Sequence, residues 1–481
     1  MIEPHERPPR RLNLARHCLS GKPTEKTALI VAGTGMAERW RYGELEEAVL
    51  RLAGGLRGAG LEPGGRLFIR MGNSLDYALV FLAANAIGGV PIPASPMLTA
   101  SEVAWLLADS GASIAAWDGA LPLPDCTGVA LLRPADLARL RRAPAASYAE
   151  TEAGDPAYLV YTSGTSGKPK GVLHAHRAIW GRRPMYQGWY GIGPDDVMLH
   201  TGALNWTYTM GTGLFDPFAN GATTVVYTGP RDDAVWARLV SEHGVTLMAS
   251  VPGIYRQILR AGFRPAATLR HGLSAGEALA PDLLHAWREE TGLELYEALG
   301  MSEISTYIST SPSVPVKPGS PGKPQPGRTV RILEDGQIGV HRSDPGLFLR
   351  YWGEPLPAGD WFATGDLAEI DAEGHIWCRG RADELMNAGG FRVSPLEVEA
   401  VLLQHPDVAD AGVRELRISE TASIIAAFVV PKSSFSPNEA AVAAFVSERL
   451  AAYKCPKQIW FVPALPRTAN GKLIRKALEK P

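Results

Sequence analysis

Apolar and polar positions along this chain alternate between helical periods and short apolar runs. RYGELEEAVLRLAGGLRGAGL (41–61) reads as an amphipathic helix ending at glycine, and RLFIRM (66–71) as a strand. SLDYALVFLAANAIGGVPIPA (74–94) is a helix followed by a strand, and SEVAWLLADSGASIAAWD (101–118) repeats the pair. The rhythm continues from 173 to 300, as in VWARLVSEHGVTLMASV (235–251). Alternation of this kind predicts an α/β fold with a mainly parallel sheet.

PSVPVKPGSPGKPQPGR (312–328) is dense in proline and glycine and reads as a linker-like break. Beyond it, shorter strands with the turn signals LEDGQ (333–337) and DAEGH (371–375) predict a small β-rich subdomain. Further on, LEVEAVLLQHPDV, SIIAAFVV, EAAVAAFVSERLAAY and QIWFV alternate helix and strand, which predicts a compact C-terminal α/β unit. The expected organisation is a large N-terminal domain over residues 1–382 and a small C-terminal domain over 383–481.

Composition narrows the class. A chain of 481 residues is too long for one core. Hydrophobic content of 46% and charged content of 20% are globular values. The formal charge of −2 sets up no strong field toward nucleic acid or acidic membranes. No apolar run approaches the roughly 20 residues needed to span a bilayer. The first residues, MIEPHERPPRRLNLARHCL, carry charges but no apolar h-region, so no signal peptide is expected. Cys18, Cys126, Cys378 and Cys455 lie far apart, which suits a reducing cytoplasm and argues against structural zinc.

One loop carries candidate chemistry. YLVY (158–161) reads as a strand leading into YTSGTSGKPKG (161–171). Gly164, Gly167 and Gly171 allow tight turns and close approach to a ligand. Thr162, Ser163, Thr165 and Ser166 supply hydroxyls, and Lys168 and Lys170 supply positive charge. This is the composition of a phosphate cradle, though GxxxxGK[ST] cannot be laid on it. The plain alternative is a surface loop between two strands.

Further stretches decide between these. HGLSAGEAL (271–279) sets Gly276 and Glu277 after a short strand, and EALGMSEIS (297–305) sets Glu303 at another strand end. WFATGDLAEID (361–371) sets Asp366 in a turn between strands. GRADELMNAGGFRVSPLEVE (380–399) contains Arg381 and Asp383, and PRTANGKLIRKAL (466–478) sets Lys472 after a turn on a terminal tail. Together and in this order, the stretches resemble the adenylate-forming superfamily of acyl-CoA synthetases, peptide-synthetase adenylation domains and luciferases. The resemblance covers nearly the whole chain. SAGEAL, the LGMSE run, GATTVV and MGTGLFDPFANGA are most similar to benzoate-type CoA ligases.

The resemblance implies a role for each residue. Thr162 to Gly167, with Lys170, would hold the β- and γ-phosphates of ATP. Gly276, Glu277 and Ala278 would line the adenine, with Leu299, Gly300, Met301 and Ser302 beside it. Leu299 stands where relatives commonly carry an aromatic ring, so it covers the purine face without stacking on it. Glu303 would bind Mg²⁺, a hard cation for which one carboxylate can suffice. Asp366 would accept from both ribose hydroxyls, and Arg381 would reach the ribose and phosphate. Lys472 would place an ammonium between the attacking carboxylate and the α-phosphate. Asp383 would be the hinge of the mobile C-terminal domain. Gly389, Gly390 and Phe391 would form the passage for the pantetheine arm of coenzyme A. Trp206 and Tyr208, in GALNWTYTMG, would line the acyl pocket. His174 and His176, in GVLHAH, read as caps of the element after the phosphate loop, and His200 receives no role.

The implied activity is that of a cytoplasmic ATP-dependent carboxylate–CoA ligase using Mg²⁺ and acting on a small aromatic or short to medium apolar acid. The alternatives are an adenylation enzyme loading a separate carrier protein, and a nucleotide-binding or acyl-binding protein without catalysis. The PRTANGK context also resembles that modified by acetylases in acyl-CoA synthetases, and acetylation of Lys472 would remove the charge adenylation needs.

Overall fold

The computed structural model describes residues 6–481 apart from 125, 163–168, 233, 383, 385, 389–390, 419–422, 433–437 and 469–470. The chain packs as two compact units, Met1–Thr329 with His341–Asp360, and Val330–Val340 with Trp361–Pro481. Local signals seed the helices. In Tyr42–Gly58, Leu45, Val49, Leu52 and Leu56 recur on one buried face. The Arg41 N–H donates to Glu44 Oε2 at 2.9 Å, closing the first turn. Ala100–Ser110 begins with a reciprocal capping box between Thr99 and Glu102 and stops at Gly111, whose φ is +61°.

Among the described residues, the larger unit is built on a nine-stranded sheet. Its order is Lys323–Pro324, Ser305–Ser309, Leu295–Met301, His271–Ala275, Leu247–Ser250, Val197–His200, Thr223–Tyr227, Thr27–Ala32 and Glu38–Arg41. The six inner strands from Leu295–Met301 to Thr27–Ala32 run parallel, and the outer pairings are antiparallel. Both faces are covered. Leu29 and Val226 face a core that includes Leu52, Phe81 and Phe218, whereas Ile30 and Val225 face one that includes Trp236, Tyr255 and Trp287. That two-sided burial explains the near-continuous apolar runs of these strands.

A second, all-parallel sheet orders Val90–Pro93, Arg66–Arg70, Ile114–Trp117 and Ala130–Leu132. A third, antiparallel sheet joins Arg350–Tyr351, Lys170–Ala175 and Pro156–Thr162. The smaller unit contains a four-stranded sheet of Val330–Ile332, Gln337–His341, Trp361–Ile370 and Ile376–Arg381. It also contains a three-stranded sheet of Val408–Arg417, Ser423–Pro431 and Gln458–Phe461, packed with Pro395–Leu402 and Glu439–Ser447. The expected α/β fold class, with its β-rich part and small C-terminal α/β part, is the one observed.

Two expectations change. The 312–328 break is no linker: Lys323–Pro324 adds a strand to the main sheet, and Arg328 forms a buried ion pair with Asp344 at 2.7 Å. Asp366 lies within the strand Trp361–Ile370, not in a turn. Gly365, at φ +83°, and a register shift after Leu367 kink that strand locally. No helix among the described residues is long and apolar enough to cross a membrane.

Candidate functional site

The carboxyl ends of parallel strands are where an open α/β sheet binds ligands. Here His200, Ser250, Ala275 and Met301 close four neighbouring strands of the main sheet, all parallel and paired in unbroken register. The next residues are Thr201, Val251, Gly276 and Ser302, so the segments singled out at 276–278 and 299–303 fall on one edge of the sheet.

Gly276 has φ +95°, and a Cβ there would lie 2.9 Å from the indole of Trp206. The outer edge of the Trp206 ring therefore packs close against Gly276. Tyr208 meets Trp206 edge-on at 5.2 Å between ring centroids and His200 at 4.3 Å. Its hydroxyl donates to the Ser250 carbonyl at 3.3 Å and to that of Leu273 at 3.4 Å. The two aromatic residues are thus gathered beside the glycine. His200 accepts from the Gly202 N–H through Nδ1, and burial lowers its pKa to about 3, so it is a neutral imidazole.

Glu297 is a feature the sequence reading passed over. It is buried, and its Oε1 accepts from the Leu279 N–H at 2.9 Å. That bond fastens the segment containing Gly276, Glu277 and Ala278 to the neighbouring strand. Burial pushes its pKa up to about 7, against the favourable bond from Leu279.

Glu303 sits on the tight turn between Leu295–Met301 and Ser305–Ser309. Gly300 is required there because a Cβ would meet the Ser305 carbonyl at 2.5 Å. Ser305 has φ +71°, a left-handed conformation held by a bond from Arg182 to its hydroxyl. Arg182 in turn makes a two-pronged buried pair with Asp216, at 2.7 and 2.6 Å. The Tyr190 hydroxyl also donates to Asp216, at 2.7 Å. The Phe348 N–H donates to the Glu303 carbonyl at 2.7 Å, and the Tyr351 hydroxyl to Glu303 Oε1 at 2.9 Å. A carboxylate oriented this way has the donor chemistry for a hard cation shared with a nucleotide's phosphates. Leu299 is half-buried on the same hairpin, opposite Ile308.

Residues 163–167 of the hydroxyl-rich loop lie outside the described residues. Its two ends are in place, because Thr162 pairs with Lys170 across antiparallel strands. His174 and His176 follow, and neither is a helix cap. The His176 Nδ1 accepts from the Leu14 N–H at 3.0 Å. His174 stacks on Tyr158 at 4.6 Å and bonds through Nε2 to the Ser302 carbonyl at 2.7 Å. Burial lowers the His174 pKa to about 3, so the ring is neutral and Nε2 donates.

In the smaller unit, Asp366 pairs in register with Arg381, whose Nη1 donates to Oδ1 at 3.3 Å and to the Thr364 carbonyl at 3.0 Å. Burial raises the Asp366 pKa, and the charges of Arg381 and Lys472 act in the opposite direction. Lys472 is exposed on a short loop closed by Thr468: the Thr468 N–H donates to the Lys472 carbonyl at 2.8 Å, and the Lys472 N–H donates to Thr468 Oγ1 at 3.1 Å. Three residues on, Arg475 bonds Glu399 at 3.1 and 2.6 Å and Glu384 at 2.8 Å, which anchors the tail. Asp383, Gly389 and Gly390, together with the Phe391 side chain, lie outside the described residues.

Residues 15–349 match the model of the AMP-binding enzymes, and residues 397–472 that of the AMP-binding enzyme C-terminal domain. A 3-hydroxybenzoate–CoA ligase of Aromatoleum sp. (strain CIB) is 30% identical over 93% of this chain and 92% of that protein. An acetyl-coenzyme A synthetase of Bacillus subtilis is 29% identical over 94% of this chain and 87% of that one. The crystal structure of a benzoate CoA ligase from Burkholderia xenovorans superposes with a TM-score of 0.85 at 30% identity, covering 96% of this chain and 99% of that one.

Proposed function

Since the chain belongs to the AMP-binding enzyme family, as an ATP-dependent, acyl-adenylate-forming ligase of the carboxylate–CoA type, we propose that it activates a small aromatic or short to medium apolar acid. The observation that carries this reading is the pair Trp206 and Tyr208 at the carboxyl ends of the parallel strands, with the edge of the indole packed against Gly276. Flat aromatic walls suit a planar ring or a short apolar chain.

In the first step the acid's carboxylate attacks the α-phosphorus of ATP and pyrophosphate leaves. Both reactants are anionic, and the Lys472 ammonium offsets their repulsion as charge builds in the transition state. Glu303 would hold Mg²⁺, which would neutralise charge on the departing phosphates. The loop from Thr162 to Lys170 takes the phosphates, Gly276 to Ala278 and Leu299 the base, and Asp366 with Arg381 the ribose. In the second step the thiol of coenzyme A loses its proton to solvent and its sulfur attacks the acyl carbon, and AMP leaves, taking the bonding electrons. Asp383 serves as the hinge between steps, and Gly389, Gly390 and Phe391 admit the pantetheine arm.

Pyrophosphate release with MgATP over a panel from acetate through octanoate, benzoate and hydroxybenzoates to amino acids tests the proposal, with and without coenzyme A. Acid-dependent turnover that needs coenzyme A and collapses in Lys472→Ala is the expected result. Turnover confined to amino acids, or indifferent to coenzyme A, refutes it.

A further inference from the structure

The antiparallel sheet of Arg350–Tyr351, Lys170–Ala175 and Pro156–Thr162 does more than carry the two ends of the hydroxyl-rich loop. It also grips the turn that bears Glu303. His174 donates to the Ser302 carbonyl at 2.7 Å, and the Phe348 N–H, just before the sheet's edge strand, donates to the Glu303 carbonyl at 2.7 Å. These two bonds fix the turn's backbone. The Tyr351 hydroxyl, at 2.9 Å from Oε1, reaches the carboxylate itself.

Tyr351 is paired with Val172 in this sheet, so its ring is anchored two residues from Lys170. The Lys170 ammonium lies 4.9 Å from the ring centroid. A cation at that distance is attracted to the ring, and it withdraws density from the phenol, which sharpens the hydroxyl as a donor. A hydroxyl donating to an ionised carboxylate forms a charge-assisted bond, stronger than a neutral one. It also helps fix the plane of the carboxylate.

We propose that Tyr351 is a positioning residue for the Glu303 carboxylate, linking the lysine at the end of the phosphate loop to the group that receives the nucleotide's cation. The inference rests on the reading of Glu303 as the magnesium carboxylate. Tyr351 touches neither the reacting atoms nor the nucleotide in this role; it presets the geometry in which the cation is received.

Calorimetric binding of ATP tests this, measured with Mg²⁺ and again with EDTA, on the native protein, Tyr351→Phe and Glu303→Gln. The quantity read is the gain in affinity that Mg²⁺ confers. Tyr351→Phe is expected to bind ATP in EDTA within about twofold of native and to lose about tenfold of the magnesium gain, the worth of one bond to a charged group. Glu303→Gln is expected to lose the gain almost entirely. Tyr351→Leu, which also removes the ring beneath Lys170, is expected to lose at least as much as Tyr351→Phe. If Tyr351→Phe keeps the native gain while Glu303→Gln loses it, the positioning role is refuted and the reading of Glu303 stands. If Glu303→Gln keeps the gain, the reading of Glu303 fails and takes the inference with it. Equal losses with and without Mg²⁺ in Tyr351→Phe would make Tyr351 a structural residue and overturn the proposal.

Discussion

Glu297→Gln is the substitution with the most definite expectation. The carboxyl is 7% exposed, and burial raises its pKa from 4.5 to about 7. A carboxyl raised in the folded state binds more protons folded than unfolded over that interval. Its contribution is therefore fully present below about pH 4.5 and is lost as pH rises through 7. Between about pH 5 and pH 8 the linkage relation gives a loss of roughly 2.5 kcal/mol from this one group. Glutamine keeps a carbonyl acceptor for the Leu279 N–H and does not titrate. Because the folded carboxyl is itself neutral below about pH 7, the amide shifts stability there by no more than about 1 kcal/mol, an offset without a slope. The assay is the denaturant midpoint of the larger unit, for native and variant protein, in buffers across this range. The native-minus-variant difference should fall steadily as pH rises, so that the variant is the more stable protein at the alkaline end. A difference that stays level with pH would refute the argument, because it would mean that the carboxyl titrates alike in both states.

Three further outcomes are expected. Asp216→Ala leaves the buried Arg182 guanidinium without its counter-charge and should cost about 3–5 kcal/mol, whereas Arg182→Met with Asp216→Leu should recover at least half, as read by denaturant titration. Arg475→Ala should speed amide exchange over residues 467–478 and slow acid-dependent pyrophosphate release, because Glu399 and Glu384 both lose the guanidinium that holds the Lys472 tail; native-like exchange would sink the anchoring role. Trp206→Ala, which clears the space over Gly276, should shift relative kcat/KM toward bulkier acids by about tenfold, measured over the same acid panel, and an unchanged order of preference would count against Trp206 as a pocket wall.

Much of the fold could be read from local pattern. The strands at 66–70, 156–162 and 271–275 and the helix at 42–58 stand where periodicity and glycine punctuation place them. The residues missed are those whose meaning comes from distant partners. Glu297 lies inside a run already read for its chemistry, yet only the fold brings it to Leu279 and buries it. Tyr351 sits in a stretch without motif character and acquires a role by pairing beside Val172. Arg475 meets Glu384 and Glu399 across 91 and 76 residues of chain. The two π-helical turns, Tyr186–Tyr190 and Gly211–Phe215, were invisible because a one-residue widening barely alters a helical hydrophobic pattern. Asp366 was misplaced because Gly365 reads as a turn signal, although here it bends a strand that continues to Ile370.

The position of Thr27–Ala32 in the main sheet bears on how the protein is made. Leu29 pairs in parallel with Thr224, a partner lying roughly 195 residues further along the chain. At ribosomal speeds of about 5–20 residues per second, the first strand waits about 10–40 seconds before its neighbour has been synthesised. During that interval its edge toward Thr223–Tyr227 stays unpaired, and Ile30 waits for the core of Trp236, Tyr255 and Trp287 that will cover it. The first strand of the main sheet therefore waits far longer for its parallel neighbour than the strands that follow it, which makes the nascent chain a natural client for chaperones that bind exposed strands.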